Sequence, residues 1–584
     1  MSVFQLHLVK PSHYDDDGYV VQWLRSAIPS NSLAALHAIA QDCAARRALG
    51  PEVDIQVFVY DETNTRIVPE EIAARIAAAG AGLVCLTGVQ SNQFPRALDL
   101  ARRFRAAQAG VAIGGFHVSG SIAMLPELTP ELGEAQEMGC ALYAGEVEGR
   151  FDELLQDAHG GRMKPLYDFL KDLPALEGAP FPLLPAEIIA GTTGAVTSFD
   201  AGRGCPFQCS FCTIINVQGR KSRHRSADDV EAIIRANLAQ GVDSFFITDD
   251  NFARNRNWES IFDRLIALRE GEGLHFTFII QIDTLSHRIE NFIEKAGRAG
   301  VKRVFIGLEN INPDNLAEVK KKQNRIAEYR DMLLAWKRAG CFTYAGYILG
   351  FPNDTPESIR RDIAIIQREL PLDILEFFCL TPLPGSEDHQ RLVAKGVWID
   401  PDLNKYDLEH VVTGHPRMSQ AQWEGIYQEA WDLYYTPRHM RTIMRRAAAN
   451  GVSAGHAMFL ALWFWGCVKL EKVHPLQGGY FRRKRRRDRR PGMPLENPLL
   501  FYPRYAAELV LNHLRLGAMA ARLGVFRLWL KRNKAQAAAY MDQALTPQTQ
   551  ADLDDLDLFQ HNESSRAAGE KAKEKAARKA AASV

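Results

Sequence analysis

Three cysteines carry the strongest chemical signal in this sequence. Cys205, Cys209 and Cys212 stand in the run RGCPFQCSFC, a C-x3-C-x2-C spacing. Three thiolates on so short a loop can ligate three irons of a cubane iron–sulfur cluster and leave the fourth iron without a protein ligand. An iron with an open coordination position is laid out for substrate or cofactor chemistry rather than plain electron transfer. A structural zinc site would want a fourth Cys or His at comparable spacing, and His224, 12 residues beyond Cys212, is the residue that could supply it. Disulfide pairing is a weaker reading, because nine Cys in 584 residues is far too sparse for a stapled secreted scaffold.

The elements that must hold this loop follow from hydrophobic patterning. From 196 to about 395, strand candidates AVTSF, DSFFIT, HFTFIIQI, RVFIGL, FTYAGYIL and ILEFFCL alternate with helical segments. One helix, over 227–240, is opened by Ser226 with Asp229 as a capping-box variant. Six βα units in this span predict a partial (β/α)6 TIM-type barrel, since the eight-fold form needs about 250 residues. The cysteine loop falls directly after its first strand, at the end of the barrel where chemistry sits. Residues 1–160 show a second alternation, with FQLHLV, VDIQVFVY, GLVCLTGV, GVAIGG and CALYAG as strands apolar on both faces. This predicts a doubly wound, Rossmann-like parallel sheet, which binds ligands at its strand carboxyl ends. A proline-dense linker over 161–195 joins the two, and residues 396–545 read as an α-helical domain. The tail, 546–584, is expected to be disordered or a frayed helix.

On these residues the chain resembles radical S-adenosylmethionine enzymes, whose hallmark is this cysteine spacing with an aromatic residue, here Phe211, before the last Cys. The resemblance implies a [4Fe-4S] cluster whose open iron is chelated by the methionine amino and carboxylate groups. The reduced cluster then cleaves S-adenosylmethionine to a 5′-deoxyadenosyl radical that abstracts hydrogen. Other S-adenosylmethionine contacts transfer by position. Thr248, Asp249, Asp250 and Asn251 stand where the family has a Gly-Gly-Glu motif for the methionine amine, a departure that still offers acceptors to an ammonium. Gly307 and Glu309 end the fourth barrel strand, where ribose and methionine contacts are usual. Gly346, Ile348 and Gly350 match the family's G-x-I-x-G strand against the adenine, and Thr381–Gly385 closes the sixth strand in the family's manner.

The N-terminal region resembles the cobalamin (B12)-binding domain that precedes many such cores. IGGFH supplies Gly114, Gly115 and His117, and AGEVEG supplies Gly145 and Glu146. The expected Asp-x-His-x-x-Gly motif is absent; PSHYDDDG offers His13 and Asp17-Gly18 at the wrong spacing, so cobalamin would lack an axial His from that motif. Methylthiotransferases of the superfamily carry a second cluster on three N-terminal cysteines. Here Cys43, Cys85 and Cys140 fall mid-helix, mid-strand and at a strand start, and read as buried apolar thiols, as do Cys341, Cys379 and Cys467. The resemblance implies cobalamin-dependent C-methylation of a substrate of hydrophobic or lipid-like kind. The alternatives are a non-methylating radical cyclisation or rearrangement, as in a related tetrapyrrole ring-forming family, and a non-catalytic iron–sulfur protein.

Composition bounds the partners. With 70 Lys+Arg against 70 Asp+Glu and 24% charged residues, the chain is neither a polytopic membrane protein nor wholly disordered. The N-terminus has no basic run before an apolar stretch, so no secretory signal is visible. Unpaired cysteines and low-potential chemistry point to a reducing cytoplasm and an external electron donor such as flavodoxin or ferredoxin. Residues 441–534 hold 20 Lys+Arg against 4 Asp+Glu, with eight cations between Arg482 and Arg490. The apolar run AMFLALWFWGCV beside it has 12 residues, too few for the roughly 20 that span a bilayer. A basic amphipathic surface docking at an anionic membrane is one reading. A buried helix hairpin with a solvated Arg loop is another. Nucleic-acid binding is the weakest, because aromatics are not interleaved with the basic run.

Overall fold

The computed structural model describes residues 2–193, 196–547, 549 and 552–581. The last two residues of the expected linker, 194 and 195, and residues 548, 550, 551 and 582–584 of the tail lie outside the described residues.

The first apolar runs become β1 (Ser2–Lys10), β2 (Val53–Asp61), β3 (Gly80–Leu86), β4 (Gly110–Gly114) and β5 (Ala141–Ala144). A sixth strand, β6 (Leu166–Asp168), comes from within the proline-dense stretch and pairs with β5. All pair in parallel in the order β2-β1-β3-β4-β5-β6, so the strand order reverses at β1. Both faces carry buried apolar clusters, one under α1 (Asn31–Ala45) and one under the helix Phe94–Ala106, which is why these strands read as continuous apolar runs.

The second sheet contains β7 (Val196–Phe199), β8 (Ser244–Ile247), β9 (Thr277–Ile282), β10 (Val301–Glu309), β11 (Phe342–Leu349) and β12 (Ile374–Cys379). They pair in parallel in sequence order, from β7 at one edge to β12 at the other, as an open six-stranded barrel segment. The capping box forms on α2 (Ala227–Ala239), with Ser226 Oγ accepting from Asp229 N at 3.0 Å and Asp229 Oδ2 accepting from Ser226 N at 2.9 Å.

The helical region is not a separate globule. Its side chains belong to the barrel's own core, Trp431, Tyr434, Met440 and Leu523 among them. The helix α3 (Gln420–Tyr434) covers β12: Trp431 packs edge-on to Phe377, and Tyr435 Oη donates to Leu375 O at 2.8 Å. An otherwise bare sheet edge is thereby closed. The basic run also differs from a solvated loop. Gly479–Arg482 pairs antiparallel with Trp23–Ser26 of the N-terminal domain, and Arg482, Arg490 and Asp488 form ion pairs with Asp15, Asp402 and Arg66. The tail carries helices Asp552–Asp555, Asp557–Gln560 and Glu563–Ala581. Leu553, Leu556, Leu558 and Phe559 are buried in the barrel core, a periodic apolar set that the acidic composition around it hides.

Candidate cluster and cofactor site

The cysteine loop leaves β7 and is fastened at several points. Cys205 N donates to Gly219 O at 3.3 Å, and Ser210 N to Val319 O at 3.1 Å. Ser210 Oγ donates to Asp388 Oδ2 at 3.1 Å, and Asp388 N returns a bond to Ser210 O. Cys209 is buried, while Cys205 and Cys212 are half-buried. Burial pushes the Cys205 thiol up to about 11 and the Cys212 thiol up to about 12, with the nearby Asp250 carboxylate adding to both. An iron centre's positive charge would reverse that order, since metal ligation requires the thiolate. Among the described residues, no three His, Cys, Asp or Glu side chains are gathered around a single-ion position, and a cubane spreads its thiolates over separate irons. His224, the fourth-ligand candidate for zinc, sits opposite Gly202 in a short antiparallel pair and shares a 2.9 Å bond with Asn257 Nδ2.

The strand ends sort the expected contacts. Asp249 accepts from the amides of Ala201 and Gly202, both at 2.7 Å, and from Asn255 Nδ2 at 2.8 Å. Its carboxylate therefore anchors the base of the cysteine loop instead of facing a ligand. Asn251 is likewise engaged, donating from Nδ2 to Asp283 Oδ2 at 2.9 Å. Asp250 is left as the carboxylate beside the cysteines; burial, opposed by the backbone amides of Asp250 and Gly204 and then by Arg203, pushes its carboxyl up to about 7. Glu309 forms an ion pair with the buried Lys321. A Cβ on Gly307 would lie 2.9 Å from the Glu309 carboxylate and 3.1 Å from Lys321 Nζ, so the ion pair would have to shift. Ile348 packs with Val319, Phe351 and the half-buried Phe211, which brings the G-x-I-x-G strand against the cysteine loop. Gly346 faces the rings of Phe305 and Phe378, each 3.1 Å from where its Cβ would be. At Gly350, φ is +100° and a Cβ would fall 1.8 Å from Trp423 Cζ2, a position only glycine can occupy.

A cleft with about 960 Å³ of empty space, partly open to solvent, lies at the carboxyl ends of β3, β4 and β5. Gly114, Gly115, Gly145 and Glu146 line it on the N-terminal side, and Arg203, Val217 and Gln218 line it from the cysteine loop and its continuation. Gly145 and Gly115 press backbone on backbone: a Cβ would come within 2.7 Å of Phe169 C and 2.1 Å of Val89 N, respectively. Three polar atoms of its lining, Asn31 Oδ1, Thr87 Oγ1 and Glu148 Oε2, are buried without a partner. Such atoms fit an amide-rich ligand. His117 does not reach the cleft. Its ring is buried against Phe94, with Nδ1 to Ser91 Oγ and Nε2 to Glu131 Oε1, each at 3.1 Å, so it fixes the helix after β4. Glu146 lines the cleft, but its carboxylate is held by Arg203 at 2.6 Å and Arg223 at 2.8 Å, tying the two domains together. Arg203 also pairs with Glu148 at 2.7 Å and Asp200 at 3.1 Å. No histidine lines the cleft, and His13 faces a different cavity with Asp407 and His410. On the other side, Gly120 meets the loop closing β12: a Cβ there would lie 2.5 Å from Pro384 O, and one on Gly385 would lie 2.7 Å from Gly120 Cα.

Residues 201–366 match the family described as the radical SAM superfamily, a span that starts just before the cysteines and ends past β11. This span is a radical SAM domain. The bacteriochlorophyllide d C-8(2)-methyltransferase of Chlorobaculum tepidum is 27% identical over 374 residues, covering 60% of this chain and 78% of that protein. The hopanoid C-2 methylase of Rhodopseudomonas palustris is 23% identical over 418 residues, covering 68% and 76%. Among solved structures, the radical S-adenosylmethionine methyltransferase TsrM from Kitasatospora setae, with cobalamin and [4Fe-4S] cluster bound, superposes with a TM-score of 0.57. It has 16% identity over 78% of this chain and 97% of that one, a likeness of fold.

Several residues of this radical SAM core escaped sequence reasoning. Lys321 and Gln323 sit in KKKQN, which reads as a charged surface run, yet both are buried beside the cysteines, and Gln323 Nε2 donates to Cys209 Sγ at 3.4 Å. Asn324 Nδ2 donates to Gly307 O at 2.9 Å and Leu308 O at 2.7 Å. Trp423 comes from the helical region. Glu376 lies in the apolar strand ILEFFC; neither carboxylate oxygen has a hydrogen-bond partner, His474 Nδ1 stands 3.9 Å from Oε1, and burial pushes the group up to about 8.

Proposed function

We propose that this radical SAM enzyme carries out cobalamin-dependent methylation at a carbon of a small-molecule substrate. The observation that carries the reading is the cleft shared between glycine-bared strand ends of the first sheet and the cysteine loop of the second. Cys205, Cys209 and Cys212 would hold the [4Fe-4S] cluster, and Asp250, Glu309 and the Gly346–Gly350 strand would receive S-adenosylmethionine. Gly114, Gly115, Gly145 and the orphaned Asn31, Thr87 and Glu148 atoms would receive cobalamin. When bound, these groups supply reductive cleavage of a sulfonium and a transferable methyl group; the protein positions them and excludes water. Asp250 offers an acceptor for the methionine ammonium, and Asp249 holds the loop that presents the thiolates. Lys321 and Gln323 offset thiolate charge from the inner side. An external one-electron donor is required. The methyl-transfer reading is supported by the relatives' named activities on a pigment and a hopanoid.

The test is anaerobic reconstitution with iron, sulfide and cobalamin, followed by dithionite and S-adenosylmethionine. The loaded protein is expected to form 5′-deoxyadenosine and S-adenosylhomocysteine, and Cys209→Ala to form no 5′-deoxyadenosine. A fully loaded protein that makes no 5′-deoxyadenosine overturns the enzymatic reading. 5′-Deoxyadenosine without cobalamin uptake would point to a non-methylating radical reaction.

A further inference from the structure

Beyond α4 (Ala454–Gly466), the helix α5, spanning Asn497-capped Pro498–Arg532, is 35 residues and about 50 Å long. Only Phe501, Asn512, Leu523 and Leu530 are fully buried, at spacings that mark one inward line. The opposite line, stepping by three or four residues, is Pro503, Ala507, Val510, Leu514, Ala518, Ala521, Val525 and Leu528. It faces solvent and holds no charged residue. Leu514 is 65% exposed, Val525 70% and Leu500, on the same side, 71%. Surface helices of a folded chain normally turn this stripe inward and the polar one outward; α5 shows an apolar side outward along most of its length. Phe459, on the neighbouring helix Ala454–Gly466, and Tyr480 and Phe481 are also more than 40% exposed. An outward apolar stripe of this length marks an interaction site.

The charges flanking the stripe identify the partner. Arg504, Arg515 and Arg522 run along one border of the stripe, and Lys531 and Arg532 stand at its end. Among the described residues, Arg515, Arg522, Lys531 and Arg532 have no carboxylate within 4 Å, whereas Glu508, the helix's own acid, is neutralised by Lys484. No described helix is long and apolar enough to cross a membrane. An apolar ridge with a cationic border and no free acid matches a bilayer interface in which acyl chains take the ridge and anionic headgroups take the border. We propose that α5 lies in the plane of an anionic phospholipid surface and docks the protein on it.

The test uses the full chain with vesicles of phosphatidylcholine alone or mixed with phosphatidylglycerol, in a flotation assay at low and high salt. The chain is expected to float with the anionic vesicles and to be released partly by salt. Each cation near such a surface is worth roughly fivefold in binding, so Arg515→Gln with Arg522→Gln should weaken it about thirtyfold. Leu514→Asp with Val525→Asp should abolish flotation on both compositions. All four sites are exposed, so unchanged circular dichroism and melting are expected. Failure of the folded wild-type chain to bind anionic vesicles overturns the proposal, as does binding that survives the aspartates. A dimer that Leu514→Asp disperses, in a chain that ignores vesicles, would assign the face to a second copy instead.

Discussion

Replacing Arg203 with Met tests whether one guanidinium holds the two domains across the cofactor cleft. Arg203 is about nine-tenths buried and reaches Glu146, Glu148 and Asp200, whose side chains are 8%, 5% and 3% exposed. Two of the three keep a cation after the change: Glu146 retains Arg223, and Asp200 retains Arg225 at 3.6 Å. Glu148 retains none, and its Oε2 is already unpartnered. Removing one partner of a buried pair costs about 3–5 kcal/mol, because the remaining charge is left uncompensated. For a domain of this size that corresponds to a fall of roughly 6–20 °C in the melting step of the N-terminal domain. Adding Glu148→Gln removes the stranded charge and should recover about 1–3 kcal/mol, a coupling that a double-mutant cycle reads directly. Scanning calorimetry, with limited proteolysis of the 161–195 segment, measures both effects. A penalty under about 1 kcal/mol, or no recovery by Glu148→Gln, refutes the clamp.

Four further outcomes follow from the structure. Glu376 has a folded-state value of about 8 against an ordinary 4.5, so the folded chain gives up stability as pH climbs between those values; Glu376→Gln should raise the melting temperature more at pH 8.5 than at pH 6. Asp249→Asn should lower iron content per chain by loosening the loop amides it holds. Asp250→Asn should leave iron content intact and weaken S-adenosylmethionine binding by about tenfold or more, as expected for loss of a charge-assisted hydrogen bond. In a visible-spectrum titration, His117→Asn should leave cobalamin uptake unchanged, whereas Gly115→Ala, which drives a Cβ to 2.1 Å from Val89 N, should abolish it.

Apart from β6, hidden in the proline-dense stretch, the strands of both sheets and the cysteine loop were legible because each is dictated locally: an apolar run buried on both faces, and a ligand spacing no surface loop needs. The capping box at Ser226 was legible for the same reason. Lys321 and Gln323 were not, since a polar run says nothing about burial until the barrel closes over it. His117 misled because its glycine-rich neighbours do line the cleft, while the helix that starts at Phe116 turns its ring away. Asp249 and Asn251 looked equivalent to Asp250 along the chain; which of them is free is decided by the amides of Ala201 and Gly202 and by Asp283, all distant in pattern. The pairing of Trp23–Ser26 with Gly479–Arg482 is too long-range and too short a ladder to be seen in either segment.

The contact between Gly120 and the Pro384–Gly385 turn has a consequence for how such a protein can change. Where two bodies meet through side chains, their separation drifts with every substitution at the seam. Here main chain rests on main chain, so the offset between the cleft of the first sheet and the mouth of the second is a gauge cut by the backbone itself. Residues lining either chamber, apart from the Arg203 clamp on Glu146 and Glu148, can be exchanged to suit another substrate without altering that offset. A single methyl group at Gly120 or Gly385 would wedge it open.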